Sequence, residues 1–327
     1  MTHLQHPLET GFTAASTAGE VLRGVDLTGK NVIVTGGHGR LGLETTRALA
    51  EAGASVTVAA RDPERAGRVI AGIPRAEVSQ LDLVDPRSID DFAARWLASD
   101  RPLHILVNSA TPKPPPELTL DARGYEIQLA TSHLGHFQLT LGLLPALRAA
   151  HGARVVNVSS GAQRFGAIRW EDLHFANGGY GPQVAYAQAK RANVLFTVEL
   201  DRRFAQEGIR AFAVHPGVVV DAQVPGTPRF AALRAMGLLD EAGQPIIDPA
   251  RGKKTVQQGA STIVLAAASP LLAGLGGVYL KDNDVSRIDD EPRPLTADSI
   301  PSEVASHSID PEAARRLWEL SEALLKR

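Results

Sequence analysis

The sequence predicts a single α/β domain of the Rossmann type, a doubly wound parallel sheet with helices on both faces. Two observations carry that prediction. Short apolar runs alternate with longer amphipathic stretches along most of the chain, the pattern of a parallel sheet whose crossover helices cover both faces. In addition, the first apolar run, NVIVT, passes through a glycine-rich turn directly into the helical stretch LETTRALAEAG, the strand, turn and helix order that opens such folds.

Taken in order, residues 1–29 form an N-terminal extension before the first strand, with a short helix near Thr17–Arg23. Residues 30–327 are expected to form the domain. Strands are predicted at Val32–Thr35, Ser55–Ala60, Ala76–Leu81, Ile105–Asn108, Arg154–Ser159, Ala211–His215 and Gly277–Leu280, each a short apolar run of strand length. Helices are predicted at Leu41–Ala52, Ser88–Ser99, Gly124–Ala149, Ala185–Gln206 and Thr255–Ala268. A last helix, Pro311–Leu325, has Asp310 as N-cap and Pro311 at the first helical position, where its missing N–H costs nothing. Residues 218–254 interrupt the alternation and are rich in Pro and Gly. A long irregular stretch inside such a domain reads as a substrate lid, the alternative being a surface excursion.

The bulk numbers exclude several function classes. A chain of 327 residues can bury a substantial core, and a net charge of -2 with mixed signs gives no bias toward nucleic acid or acidic membranes. There is no cysteine, so disulfides, thiolate nucleophiles and Cys-ligated metals are ruled out. The N-terminus lacks a basic start followed by an apolar core, and no apolar run approaches the ~20 residues that span a bilayer. A soluble, cytoplasmic protein with a small-molecule substrate and no membrane partner is expected.

The turn Gly36-Gly37-His38-Gly39-Arg40-Leu41-Gly42 reads as a phosphate cradle. Glycine lets the backbone approach a pyrophosphate, and the open N–H groups of the following helix face it. At the end of the second strand an acidic residue would favour NAD(H) and a cation NADP(H). Here Ala60 is followed by Arg61, and Arg40 adds a second cation. NADP(H) is therefore favoured over NAD(H); the alternative is that Arg61 pairs with Asp62 or Glu64 on a solvated loop.

Far downstream, Ser160 in RVVNVSSGA precedes Tyr186 and Lys190 in AYAQAK. Together with TGGHGRLG, Asp82 in LDLVD, Asn108 in LVNSA, HLGHF at His133–Phe137 and His215-Pro216-Gly217, these residues resemble the short-chain dehydrogenase/reductase superfamily over nearly the whole chain. The wide serine-to-tyrosine spacing, AARDPER and AKRANVLFTVEL look most like its retinol-dehydrogenase-like and WW-domain-oxidoreductase-like branch. The resemblance implies that Asp82 and Leu83 hold the adenine, and that Asn108, Ser109 and Ala110 line the middle of the cofactor. It also implies that Pro216, Gly217 and Val219 flank the nicotinamide, that His133 and His136 are structural, and that helices Gly124–Ala149 and Ala185–Gln206 form a homodimer or homotetramer interface; with no carboxylate or third ligand near the two histidines, no metal is expected.

Three departures stand out. Gly39 moves the middle glycine one place forward, with Arg40 where the family has Gly; Ser109-Ala110-Thr111 replaces Asn-Ala-Gly; and Ser132 stands where an asparagine normally anchors a proton-relay water. A serine offers one hydroxyl in place of an amide's donor and acceptor.

Carbonyl reduction needs a proton donor and a hydrogen bond to the developing alkoxide. Tyr186 is the expected acid or base. Its ordinary pKa of about 10 is too high near neutrality, and Lys190, one helical turn away, is expected to lower it. Ser160, rather than Ser159, would stabilise the substrate oxygen, and Ser132 would take the relay position. Phe165, Trp170, Phe175, Tyr180, Phe230 and Met236 suggest an apolar wall for a lipophilic alcohol or ketone. Two other readings remain: a nucleotide-sugar epimerase or dehydratase, from the epimerase-like glycine spacing, and a non-catalytic NAD(P) sensor.

Overall fold

Eight strands in one sheet organise the computed structural model, which describes residues 5–296 and 298–326. They are β1 (Asn31–Thr35), β2 (Ser55–Ala60), β3 (Ala76–Gln80), β4 (Ile105–Asn108), β5 (Ala153–Val158), β6 (Ile209–His215), β7 (Val278–Lys281) and β8 (Asp284–Val285). Their order across the sheet is β3-β2-β1-β4-β5-β6-β7-β8. All pair in parallel except the short β8, which runs antiparallel to β7. The order reverses between β1 and β4, and a crevice opens at the carboxyl ends of strands at such a point.

The helices are α1 (Ala18–Val21), α2 (Arg40–Glu51), α3 (Pro63–Ile70), α4 (Pro86–Leu97), α5 (Ile127–Leu129), α6 (His136–Gly142), α7 (Leu144–Ala149), α8 (Pro182–Phe204), α9 (Pro228–Ala235), α10 (Val256–Ala268) and α11 (Pro311–Leu325). Alternate residues of the strands feed the two faces. Val32, Val34, Val156 and Val214 pack with Leu49 of α2 and Ile263, Val264 and Leu265 of α10. On the other face Ile33, Leu106, Val155 and Ala211 pack with Phe92, Phe137 and Phe196 of α4, α6 and α8.

The helix predicted over Gly124–Ala149 is not continuous. Gly124 sits at φ 81° in a turn, Glu126 caps α5 by accepting from the N–H groups of Gln128 and Leu129 at 2.8 Å, and Ala130–Gly135 is a π-helix. A break at Leu143 then lets Pro145, which lacks an N–H, enter the first turn of α7. Three elements were absent from the sequence reading: α3, capped by Asp62 through the Arg65 N–H at 3.0 Å; α9, capped by Thr227 within the stretch read as irregular; and β8.

The N-terminal extension is fastened rather than loose. Gln5 donates to the carbonyls of Tyr279 and Ser286 at 2.8 and 2.7 Å and accepts from the Tyr279 N–H at 2.9 Å. At the other end α11 lies along α8. Its Trp318 is 3% exposed, with its ring centroid 4.8 Å from that of Phe137, 5.9 Å from Phe196 and 6.0 Å from Phe204. The apolar faces expected to form a shared interface on the Gly124–Ala149 and Ala185–Gln206 segments are thus covered in part by the chain's own α11.

Candidate active site

Ser160, Tyr186 and Lys190 meet where β5 runs out beside α8. Ser159 turns its hydroxyl to the Lys190 carbonyl, donating at 2.7 Å, so Ser160, on the opposite side of the strand, is the half-buried serine open to the crevice. Its oxygen also accepts from the Ala162 N–H at 3.2 Å, which starts the tight turn Gly161–Arg164. Tyr186 and Lys190 lie one helical turn apart, with the ammonium 5.5 Å from the centre of the phenol ring.

The electrostatics differ from the expectation. Burial pushes the Tyr186 phenol above its ordinary pKa, and hydrogen bonding from the Ser160 hydroxyl only partly opposes this. Burial also draws Lys190 down to about 8. Its ammonium donates to the Val158 carbonyl at 3.1 Å, an oxygen that also accepts from Asn193 at 3.1 Å. Desolvation is therefore the dominant influence on the phenol.

At the crevice floor, Gly36 is left-handed at φ 64°, and a Cβ on Gly42 would collide with the Gly36 carbonyl. The turn closes so tightly that α2 begins at Arg40 with Gly39 as N-cap and no side chain capping it. Its first N–H groups are left for an external acceptor. Arg61, at the end of β2, is exposed and makes no salt bridge among the described residues, while Asp62 caps α3 and Glu64 pairs with Arg68. Arg40, by contrast, is engaged. Its guanidinium donates to the Val219 carbonyl at 2.6 Å and pairs with Asp221, linking the glycine turn to the segment after β6.

Comparison with known proteins agrees with this geometry. The family model for short chain dehydrogenase matches residues 30–226. The chain belongs to the short-chain dehydrogenase family. Among its relatives, a probable oxidoreductase of Streptomyces lividans is 45% identical over 300 residues, covering 90% of this chain and 97% of the relative. Human retinol dehydrogenase 12 is 40% identical, covering 81% of this chain and 82% of the relative. The human WW domain-containing oxidoreductase is 35% identical over 96% of this chain and 72% of its own length. A solved structure of an uncharacterized protein from Mycobacterium Paratuberculosis has a TM-score of 0.70 and 31% identity, covering 95% of this chain and 98% of that one. The protein is thus an oxidoreductase of a family that binds NAD(P).

Within this short-chain dehydrogenase, Ser132 lies in the π-helix, 1% exposed, its hydroxyl 2.9 Å from that of Thr111. π-Helical turns often mark functional sites. The Ser132 carbonyl accepts from His136 Nδ1 at 3.0 Å, which fixes the proton on that nitrogen. His136 Nε2 then accepts from the Thr35 hydroxyl at 2.8 Å, and Thr35 in turn accepts from the N–H groups of Ser109 and Ala110 at 2.9 and 3.0 Å. Burial lowers His136 to about 4, so the ring stays neutral and the link holds. This connection between β1, the exit of β4 and the π-helix has no signal in the sequence beyond the bare Thr before the glycines.

The remaining predicted residues fall as follows. Asn108 points inward, donating to Asn157 at 2.8 Å and to Thr140 at 3.2 Å, and so braces β4 against β5. Asp82 accepts from the Val84 N–H at 3.2 Å. The neighbouring Leu83 carbonyl packs so close to Gly135 that no Cβ would fit there, which accounts for the glycine of HLGHF. His38 is half-buried in the glycine turn, its Nδ1 without a hydrogen-bond partner among the described residues. Leu41 lies against Gly259 of α10, which also meets Val219. Gly217 takes φ 81° just after Pro216. His133 Nε2 bonds Ser321 of α11 at 2.8 Å, a structural contact. The proposed apolar wall divides: Phe175 and Phe230 are buried core, Trp170 is packed under Arg316, and Phe165 and Met236 stay exposed. Tyr180 ties its segment to the proline loop, donating to the Pro115 carbonyl at 2.7 Å.

Proposed function

We propose that this enzyme transfers a hydride between NADP(H) and a lipophilic alcohol or carbonyl compound, with Tyr186 as acid and base. The convergence of Ser160, Tyr186 and Lys190 at one end of the crevice carries this reading. The open first turn of α2 and the free Arg61 fit a phosphorylated dinucleotide: Gly36, His38, Gly39, Leu41 and Gly42 would seat the pyrophosphate and Arg61 the 2′-phosphate. Arg40 is already held by the Val219 and Asp221 pair and would serve there instead. A nicotinamide held there would supply or accept the hydride. Tyr186 gives a proton to the substrate oxygen or takes it back, and Ser160 donates to that oxygen as negative charge builds. Lys190, close to the phenol, supports the tyrosinate as the proton leaves. The name of the relative retinol dehydrogenase 12 and the exposed Phe165 and Met236 support a lipophilic substrate.

Residues 30–327 act as one cofactor-binding unit in this reading, with 218–254 as a lid. The lid is anchored at its base by Arg40 and near its end by Arg251, 3.5 Å from Asp298. A homodimer or homotetramer would have to leave the α11 side covered. No helix among the described residues is long and apolar enough to cross a membrane.

The test is a panel of alcohols and carbonyls of graded size with NAD and NADP, followed at the nicotinamide absorbance band. Net absorbance change with NADP is expected. Tight NADP binding with no change on any compound would overturn the proposal in favour of a sensor. In the same assay Arg61→Ala should raise the KM for NADP by at least about tenfold, the worth of a charge-assisted hydrogen bond, and leave that for NAD unchanged. Ser132→Asn is expected to keep or raise activity, because the larger amide can extend toward the exposed Thr111 and offers a second polar atom. A severe loss of rate in a folded variant would assign Ser132 a requirement of its own.

A further inference from the structure

We propose that Lys254 is a positioning residue for the Pro216–Gly217 segment, held in register by Asp282. This rests on the reading that Pro216–Gly217 flanks the nicotinamide. Lys254 is 2% exposed and lies just before the N-cap of α10. Its N–H donates to the Val218 carbonyl at 2.9 Å, and the Val218 N–H donates to the Gly252 carbonyl at 2.8 Å, so the two segments run side by side. A Cβ on Gly217 would stand 2.7 Å from Lys254 Cδ and 3.0 Å from Cγ. The glycine therefore rests directly on the aliphatic stem of the lysine.

Beyond that stem the ammonium lies 2.7 Å from Asp282 Oδ1. Asp282 and Asn283 form the turn between β7 and β8 at φ 50° and 65°. That turn is immobilised from two sides: the Asn283 N–H donates to Thr262 of α10 at 3.1 Å, and the Asn283 side chain donates to the Thr13 carbonyl of the N-terminal extension at 2.7 Å. Asp282 also faces Lys281 at 3.4 Å, which pairs with Glu303 at 2.9 Å. An ion pair with one member buried is a weak source of stability, and an apolar side chain of like volume often serves as well. What the charge adds here is direction. The ammonium must reach a fixed carboxylate, so the stem takes one path and Gly217 has one bed.

The experiment measures binding of NADP(H) to the purified full chain by fluorescence titration, then kcat and cofactor KM, for Lys254→Met, Asp282→Asn and the double variant. Lys254→Met is expected to raise the cofactor Kd and KM about tenfold, with kcat at saturating cofactor close to the parent. Asp282→Asn should show the same split, and the double variant should be no worse than either single change. Parent-like cofactor binding in both folded single variants, or losses that multiply in the double, would overturn the proposal. Should Lys254→Met fail to fold, Asp282→Asn decides, since that side chain is partly exposed. A parent chain that binds neither NAD nor NADP would defeat the reading of the site itself and this inference with it.

Discussion

Tyr186→Phe is expected to lower kcat by roughly a thousandfold, within the range for removing a general acid, while NADP binds as before. The ring remains to fill its place over the Lys190 ammonium, so the packing of the crevice is kept. No neighbour can replace the lost proton donor. The Ser159 hydroxyl is turned to the Lys190 carbonyl, and the Lys190 ammonium, which donates to the Val158 carbonyl, lies 5.5 Å from the ring centre. Single-turnover absorbance measurements beside a cofactor titration separate the two quantities. A variant that keeps more than a tenth of the parent rate would remove Tyr186 from the mechanism.

Trp318→Ala should cost about 3–5 kcal/mol of stability, the usual loss for deleting a large buried aromatic. The indole is enclosed by Phe137, Phe196 and Phe204 and lies under the Arg203 guanidinium at 4.5 Å. Its Nε1 has no hydrogen-bond partner among the described residues, so Trp318→Phe, which keeps an aromatic ring and removes that donor, should lose much less. Urea unfolding of the two variants against the parent measures the difference. A loss below about 1 kcal/mol for the alanine, no more than an average substitution costs, would show that α11 adds little to the core.

Most of the sheet was legible because a strand buried on both faces leaves an apolar run that little else produces. Seven strands and α11, whose Asp310-Pro311 cap is explicit, fall within a few residues of the expectation. The same kind of cap, Asp62-Pro63, marks α3, a helix too short for its apolar spacing to stand out beside the charges of AARDPER. The π-helix at Ala130–Gly135 could not be read, since a shift in hydrogen-bond register changes no residue type. In the site, the spacing of Ser160, Tyr186 and Lys190 was sufficient to bring them together. The direction of the phenol's titration was not, because it depends on how much water the fold removes. Nor was the Thr35 and His136 link, which joins residues a hundred positions apart.

The docking of α11 also bears on how the chain is made. Segment 311–325 leaves the ribosome after every strand of the sheet, so the sides of Phe137, Phe196 and Phe204 that face Trp318 stay uncovered until it arrives. A nascent chain in that interval carries a sticky aromatic groove, the kind of surface that chaperones cover. Slow release or a bulky fusion appended just past this segment should therefore show first as poor yield of folded protein, well before any defect in chemistry.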